Sequence, residues 1–109
     1  MLRRLSLPEH GALELLVGLS LIAAPFALGF GPAGLLVSMA AGAVIAGLGL
    51  SEGMAIATHM AADLAVALAL IAVAAALAAD GDTMAGGVLS AAAATELALG
   101  VCTRWTRRV

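Results

Sequence analysis

His10 to Leu28, HGALELLVGLSLIAAPFAL, and His59 to Leu77, HMAADLAVALALIAVAAAL, are two stretches of one pattern, and that pattern decides the fold. Each is an almost unbroken apolar run carrying one histidine and, four residues later, one carboxylate. A run of roughly 20 apolar residues is the length an α-helix needs to cross the hydrocarbon core of a bilayer. Shifted by 49 residues the two stretches align without gaps: ten of nineteen positions are identical, and Glu14 against Asp63 is a conservative eleventh. The bias toward Ala and Leu accounts for about three identities, and it does not account for His10 against His59. An internal duplication is therefore expected.

The rest of the chain has the same character. Of 109 residues, 63% are hydrophobic and 11% charged, with a mean hydropathy of +1.14, outside the range of soluble domains. Apolar continuity, punctuated by Gly, Pro and charge, places four spans near residues 13–30, 35–51, 60–79 and 84–103. Gly29, Gly31, Pro32 and Gly34 form the first turn, and Asp80-Gly81-Asp82 forms another. Pro25, lacking an N–H, is expected to kink the first helix near its outer end. The second and fourth spans align more weakly, at a shift of 51, through pairs such as Ala40/Ala91 and Leu48/Leu99. The expected fold is all-α: one transmembrane domain over residues 1–109, a four-transmembrane-helix bundle of two parallel two-helix repeats, about 10–50 and 59–101. Units of two spans enter the membrane from the same side, so an axis along the membrane normal relates them, unlike the inverted repeats of many alternating-access transporters.

All five basic residues are arginines at the two ends, Arg3, Arg4, Arg104, Arg107 and Arg108. Positive charge in short flanking segments stays on the cytoplasmic side, so both termini are expected there, in keeping with an even number of spans. Glu9, His10 and Glu14 argue against reading the first run as a cleavable secretory signal. Nucleic-acid binding is set aside, because no basic surface interleaved with aromatics exists. The lone Cys102 excludes an internal disulfide, and Trp105 beside Arg104 reads as an interfacial anchor.

Lipid gives helices no hydrophobic reason to associate, so small residues must let their backbones approach. Two stripes at four-residue spacing are expected to be packing faces: Ser38, Gly42 and Ala46 in the second span, and Gly86, Ser90 and Ala94 in the fourth.

The segment Ala24-Pro25-Phe26, followed by a Gly-rich turn and a small-residue helix, resembles the SPW-repeat family of small bacterial integral membrane proteins, which are built of two-helix units. Only Pro25 matches the Ser-Pro-Trp signature strictly, and the second repeat has Val73, Ala74 and Ala75 in its place. The resemblance covers residues 10–103 and implies a multi-pass protein of the bacterial cytoplasmic membrane; it implies no activity.

Ionisable side chains inside a membrane are costly and mark sites by default. The pairs His10/Glu14 and His59/Asp63 each lie on one helix face, about 6 Å apart along the axis. Both pairs begin a span, where carboxylates also suit the positive end of the helix dipole. Parallel repeats place them at equal depth, so if they face inward they form one polar cluster, with imidazoles able to exchange protons near neutral pH. Glu96 lies about 12 Å deeper than Arg104, as an interior hydrogen-bonding acid or a protonatable site. The composition favours a module without enzymatic activity, cofactor or bound metal, structural or accessory in role, its partners being the lipid bilayer and other copies or a larger membrane complex. The alternative is a small ion- or proton-coupled solute carrier using Glu14, Asp63 and Glu96. A metal-dependent enzyme on His10 and His59 needs a ligand count that four residues barely meet.

Overall fold

The computed structural model describes residues 4–106, so Arg3, Arg107 and Arg108 lie outside the described residues. Four helices follow in order: α1 Leu7–Leu28, α2 Pro32–Leu50, α3 Ile56–Ala79 and α4 Thr83–Cys102. At about 1.5 Å per residue each matches a hydrocarbon core of about 30 Å, and all four are apolar enough to cross a membrane. The bundle is 48 Å long and 21 Å across. Large apolar side chains such as Leu16, Leu19, Phe26, Leu36 and Leu68 point outward, as a lipid solvent requires. The chain is a four-helix, multi-pass membrane protein by length and composition of its helices.

α1 begins at Leu7, earlier than residue 13, because Ser6 and Glu9 form a capping box: the Ser6 hydroxyl accepts from the Glu9 N–H and the Glu9 carboxylate accepts from the Ser6 N–H. That Ser-x-x-Glu signature was legible in the sequence. α1 continues through Pro25 to Leu28 and ends on Gly29 in the left-handed conformation, φ +69°. Pro32 and Gly34, expected in the turn, instead open α2, with Pro32 in its first turn, where a missing N–H costs nothing. The second hairpin turns at Gly81, φ +96°, and Asp82 caps α4 by accepting from the Ala85 N–H. The other Asp82 oxygen accepts from the Gly31 N–H at 2.9 Å, stitching the two turns together. α1 and α3 start 49 residues apart, and α2 and α4 start 51 apart, the two shifts at which the sequence aligns.

Packing is closest within each hairpin. A methyl group on Gly18 would lie 2.5 Å from the Ala46 nitrogen, and one on Gly42 would lie 2.5 Å from the Gly18 carbonyl oxygen, so the α1 and α2 backbones are in contact there. Ser38, Gly42 and Ala46 all lie on this buried face. In α4 the expected stripe is only partly realised: Gly86 packs on Ala74 and Ala78 of α3, while Ser90 and Ala94 are exposed. The buried face of α4 is instead Ala85, Gly86, Leu89, Ala92, Ala93, Glu96 and Leu99. The reason is geometric. With apolar residues on every side, small residues do not single out one face, and the carboxyl of Glu96 turns its own face inward.

At the opposite end from the hairpin turns the two chain ends pair, the Leu5 N–H donating to the Cys102 carbonyl and the Arg104 N–H to the Leu5 carbonyl. Both ends therefore leave the bundle on the same side.

Candidate functional site

His10 and Glu14 on α1 and His59 and Asp63 on α3 meet across the bundle at the end bearing the termini. His10, Glu14 and Asp63 are each less than 5% exposed, so these are interior groups and not boundary decoration. Each histidine bonds the carboxylate of the other hairpin: His10 Nε2 lies 2.8 Å from Asp63 Oδ2, and His59 Nε2 lies 2.8 Å from Glu14 Oε1. The contacts along each helix are longer, 3.0 Å from His10 to Glu14 and 3.3 Å from His59 to Asp63 Oδ1. The result is a ring of four side chains in which imidazole and carboxylate alternate, closed through both oxygens of Asp63.

One ring member has its tautomer set by its surroundings. The Thr103 hydroxyl donates its single proton to the Leu99 carbonyl, so toward His10 it can only accept. His10 Nδ1, 2.7 Å away, must then carry the donated N–H. The neutral ring consequently turns the Nε2 lone pair onto two carboxylates, an arrangement of acceptors alone. A proton between Nε2 and a carboxylate, carried by either group, or a bound cation holds it together.

Glu96 faces the interior as expected, about 2% exposed, beside Glu14, Asp63 and His10. It makes no hydrogen bond to a backbone carbonyl. No hydrogen bond of good geometry reaches either of its oxygens, Glu14 Oε2 or Asp63 Oδ1; the Glu96 carboxyl lies beside that of Glu14, and Asp63 Oδ1 has its 3.3 Å contact with His59. From the helix rise, Glu96 sits about 4–5 Å deeper than Glu14, so the five groups descend from the imidazoles at the mouth to Glu96 below. The described arginines, Arg4 and Arg104, are exposed. Below Glu96 the interior is apolar, packed by Leu21, Leu70, Leu77, Ala85 and Leu89.

Two openings reach the ring. A vestibule of about 1050 Å³ at the terminal end is lined by His10, His59, Ser51, Glu52 and Arg104. A crevice of about 220 Å³ between α3 and α4 reaches Asp63 and Glu96 past the exposed Met60, Leu64 and Leu97. Trp105 borders both. Its ring centroid is 4.7 Å from that of His10 and 5.7 Å from that of His59, and its indole N–H donates to the Gly100 carbonyl. Trp105, read from sequence as an interfacial anchor, thus covers the imidazoles. Thr103, and the role of Trp105 over the imidazoles, escaped the sequence reading because they depend on the segment after α4 pairing with Leu5 at the start of α1. No local pattern announces that.

No protein-family model matches the chain, and no curated protein or solved structure is significantly similar to it.

Proposed function

We propose that this chain is an ion-handling membrane protein: a module without enzymatic activity that holds a cation at the crossed ring of His10, Glu14, His59 and Asp63. The exchange is with the compartment into which both termini project. The observation that carries this is the position of His10 Nε2 between two buried carboxylates, with the imidazole oriented by Thr103 at Nδ1. The vestibule supports entry from the terminal end, and the arginine distribution makes that end cytoplasmic, in the inner membrane of a bacterium as the SPW-repeat resemblance implies. The ring, and not a bare packing scaffold, is what draws the reading toward the ion-handling alternative.

A carrier reading has one observation of its own. Glu96, buried beside Glu14 and deeper than the ring, offers a cation a second station on an inward path. The experiment is a proteoliposome measurement with the chain inserted in known orientation, reading Trp105 fluorescence while Na⁺, Mg²⁺, Mn²⁺ and Zn²⁺ are added in turn to each face. A response from the terminal face that the Glu14→Gln/Asp63→Asn double variant lacks supports the proposal. Accumulation of the ion in the lumen establishes a carrier. Silence toward every ion from both faces removes the reading.

A further inference from the structure

We infer that His10 Nε2, His59 Nε2 and one oxygen each of Glu14 and Asp63 are the four ligands of a divalent first-row transition metal ion of the zinc class. This deepens the ion-handling reading and rests on it for a physiological role, though the site itself is argued from geometry.

The first argument is shape. The four atoms lie within 4.8 Å of one another: His10 Nε2 is 2.8 Å from Asp63 Oδ2 and 3.0 Å from Glu14 Oε1, and His59 Nε2 is 2.8 Å from Glu14 Oε1, while the 3.3 Å contact of His59 with Asp63 is to the other oxygen, Oδ1. Ligands about 2.0–2.1 Å from such an ion stand about 3.3 Å apart along the edges of a tetrahedron. The short contacts therefore need to open by about half an ångström and the wider pairs, up to 4.8 Å apart, to close by as much as about 1.5 Å, a rearrangement made by side-chain rotation of the four residues.

The second argument is orientation. Ligating histidines commonly donate the other ring N–H to a fixed acceptor, which sets the tautomer and aims the lone pair. Thr103 supplies that acceptor for His10, and the Leu99 carbonyl in turn fixes Thr103. With Nδ1 committed to Thr103, Nε2 is the atom turned to the two carboxylates, where either a proton or a metal ion lies between nitrogen and oxygen.

The third argument is the set of buried carboxyl oxygens. Glu14 Oε2, Asp63 Oδ1 and both oxygens of Glu96 are buried without a well-formed hydrogen bond, Asp63 Oδ1 having its 3.3 Å contact with His59 and the Glu96 carboxyl lying beside that of Glu14. Such groups are rare in the interior, and a bound cation is one of the few arrangements that satisfies several carboxylate oxygens at once. Glu96 adds a third buried carboxyl from a different helix, beside Glu14, and so more negative charge for a cation to offset.

Chemistry selects the ion. Two imidazoles are poor ligands for Mg²⁺ and Ca²⁺, which take oxygen, and the absence of thiolate disfavours Cu⁺. Two carboxylates balance the charge of one divalent ion, so an occupied ring with neutral imidazoles is itself electrically neutral, as a low-dielectric surrounding demands. Glu52 at the vestibule rim adds a negative charge on the way in.

The test uses the full chain in detergent, stripped with a chelator and titrated with Co²⁺ and with Zn²⁺. One equivalent of Co²⁺ is expected to bind, giving the intense visible band of a four-coordinate site and quenching Trp105, and Zn²⁺ is expected to displace it. Thr103→Val should keep the stoichiometry and weaken binding by about 10–100-fold, the usual effect of losing an outer partner. Glu14→Gln/Asp63→Asn should abolish the band, with helical circular dichroism reporting whether that variant folds. The wild-type chain decides alone if it does not. No band in the wild type, a band retained in a folded double variant, or displacement by Mg²⁺ or Ca²⁺ at equal concentration overturns the inference. Metal binding in detergent with silent proteoliposomes leaves the site standing and removes the ion-handling role; a proteoliposome response to Na⁺ or Mg²⁺ without Co²⁺ binding does the reverse.

Discussion

The Ser38 hydroxyl donates to the Leu21 carbonyl at 2.6 Å, the same carbonyl that Pro25, four residues on and without an N–H, leaves unpaired in α1. A proline one turn from the end of α1 is thus compensated by a serine on α2, and the hairpin gains a buried interhelical hydrogen bond at the point of weakness. Ser38→Ala is expected to destabilise the chain by about 1–3 kcal/mol, the usual range for orphaning a buried polar group. In a Pro25→Ala background the restored N–H serves Leu21, and the same substitution should cost less than about 0.5 kcal/mol. A double-mutant cycle by chemical denaturation in detergent checks this; equal costs in both backgrounds would show the bond is not compensatory.

The contact of α1 with α2 predicts a sharp contrast between glycines. Gly18→Ala places a methyl group 2.5 Å from the Ala46 backbone nitrogen, whereas one at Gly47 meets nothing within 4 Å. The first change should cost about 1–3 kcal/mol through forced separation of the helices. The second should be neutral or stabilise by up to about 1 kcal/mol through helix propensity. Thermal unfolding followed by circular dichroism separates the two.

Asp82 serves two helices, capping α4 through Ala85 and holding the Gly31 N–H before α2. Asp82→Ala should therefore cost about 1–3 kcal/mol, more than a cap alone, while Asp80→Ala, at an exposed position, should stay within about 0.5 kcal/mol of wild type. Similar losses at the two positions would mean that the cross-turn bond adds nothing.

The ring predicts a separation of stability from binding. His10→Ala leaves Glu14 and Asp63 buried beside one remaining imidazole and is expected to cost about 3–5 kcal/mol, as the breaking of a buried ionic group does. Replacing all four members with apolar residues of similar volume, His10→Leu, Glu14→Met, His59→Leu and Asp63→Leu, should restore stability to wild type or above it. That variant should give no response to any cation. A quadruple variant less stable than His10→Ala would instead make the ring a structural necessity.

The pairing of Leu5 with Cys102 and Arg104 sends both chain ends out on one side. With the positive-inside rule, reporter fusions at either terminus should give cytoplasmic signals, and an insertion at Gly81 an extracytoplasmic one. An extracytoplasmic signal from a C-terminal fusion would overturn the orientation.

Composition and apolar run length were enough to determine an all-α chain of four spans, because in lipid every backbone polar group must be satisfied within its own segment and only the helix does this for an open chain. They also named the five ionisable residues of the site, since so few interrupt the apolar runs. Only the tertiary structure decided which way those residues face. The helices are apolar on every side, so no amphipathic stripe marks an inner face in the sequence. The rotation of each helix is set by what it packs against: Gly18 on Gly42, Gly86 on Ala74, and Glu96 turned inward for want of any polar group in lipid. That rotation crosses His10 to Asp63 and His59 to Glu14, exposes Ser90 and Ala94, and brings Thr103 and Trp105 onto His10. Each of these contacts joins residues at least 45 positions apart in the chain, a separation across which no local propensity or spacing carries information.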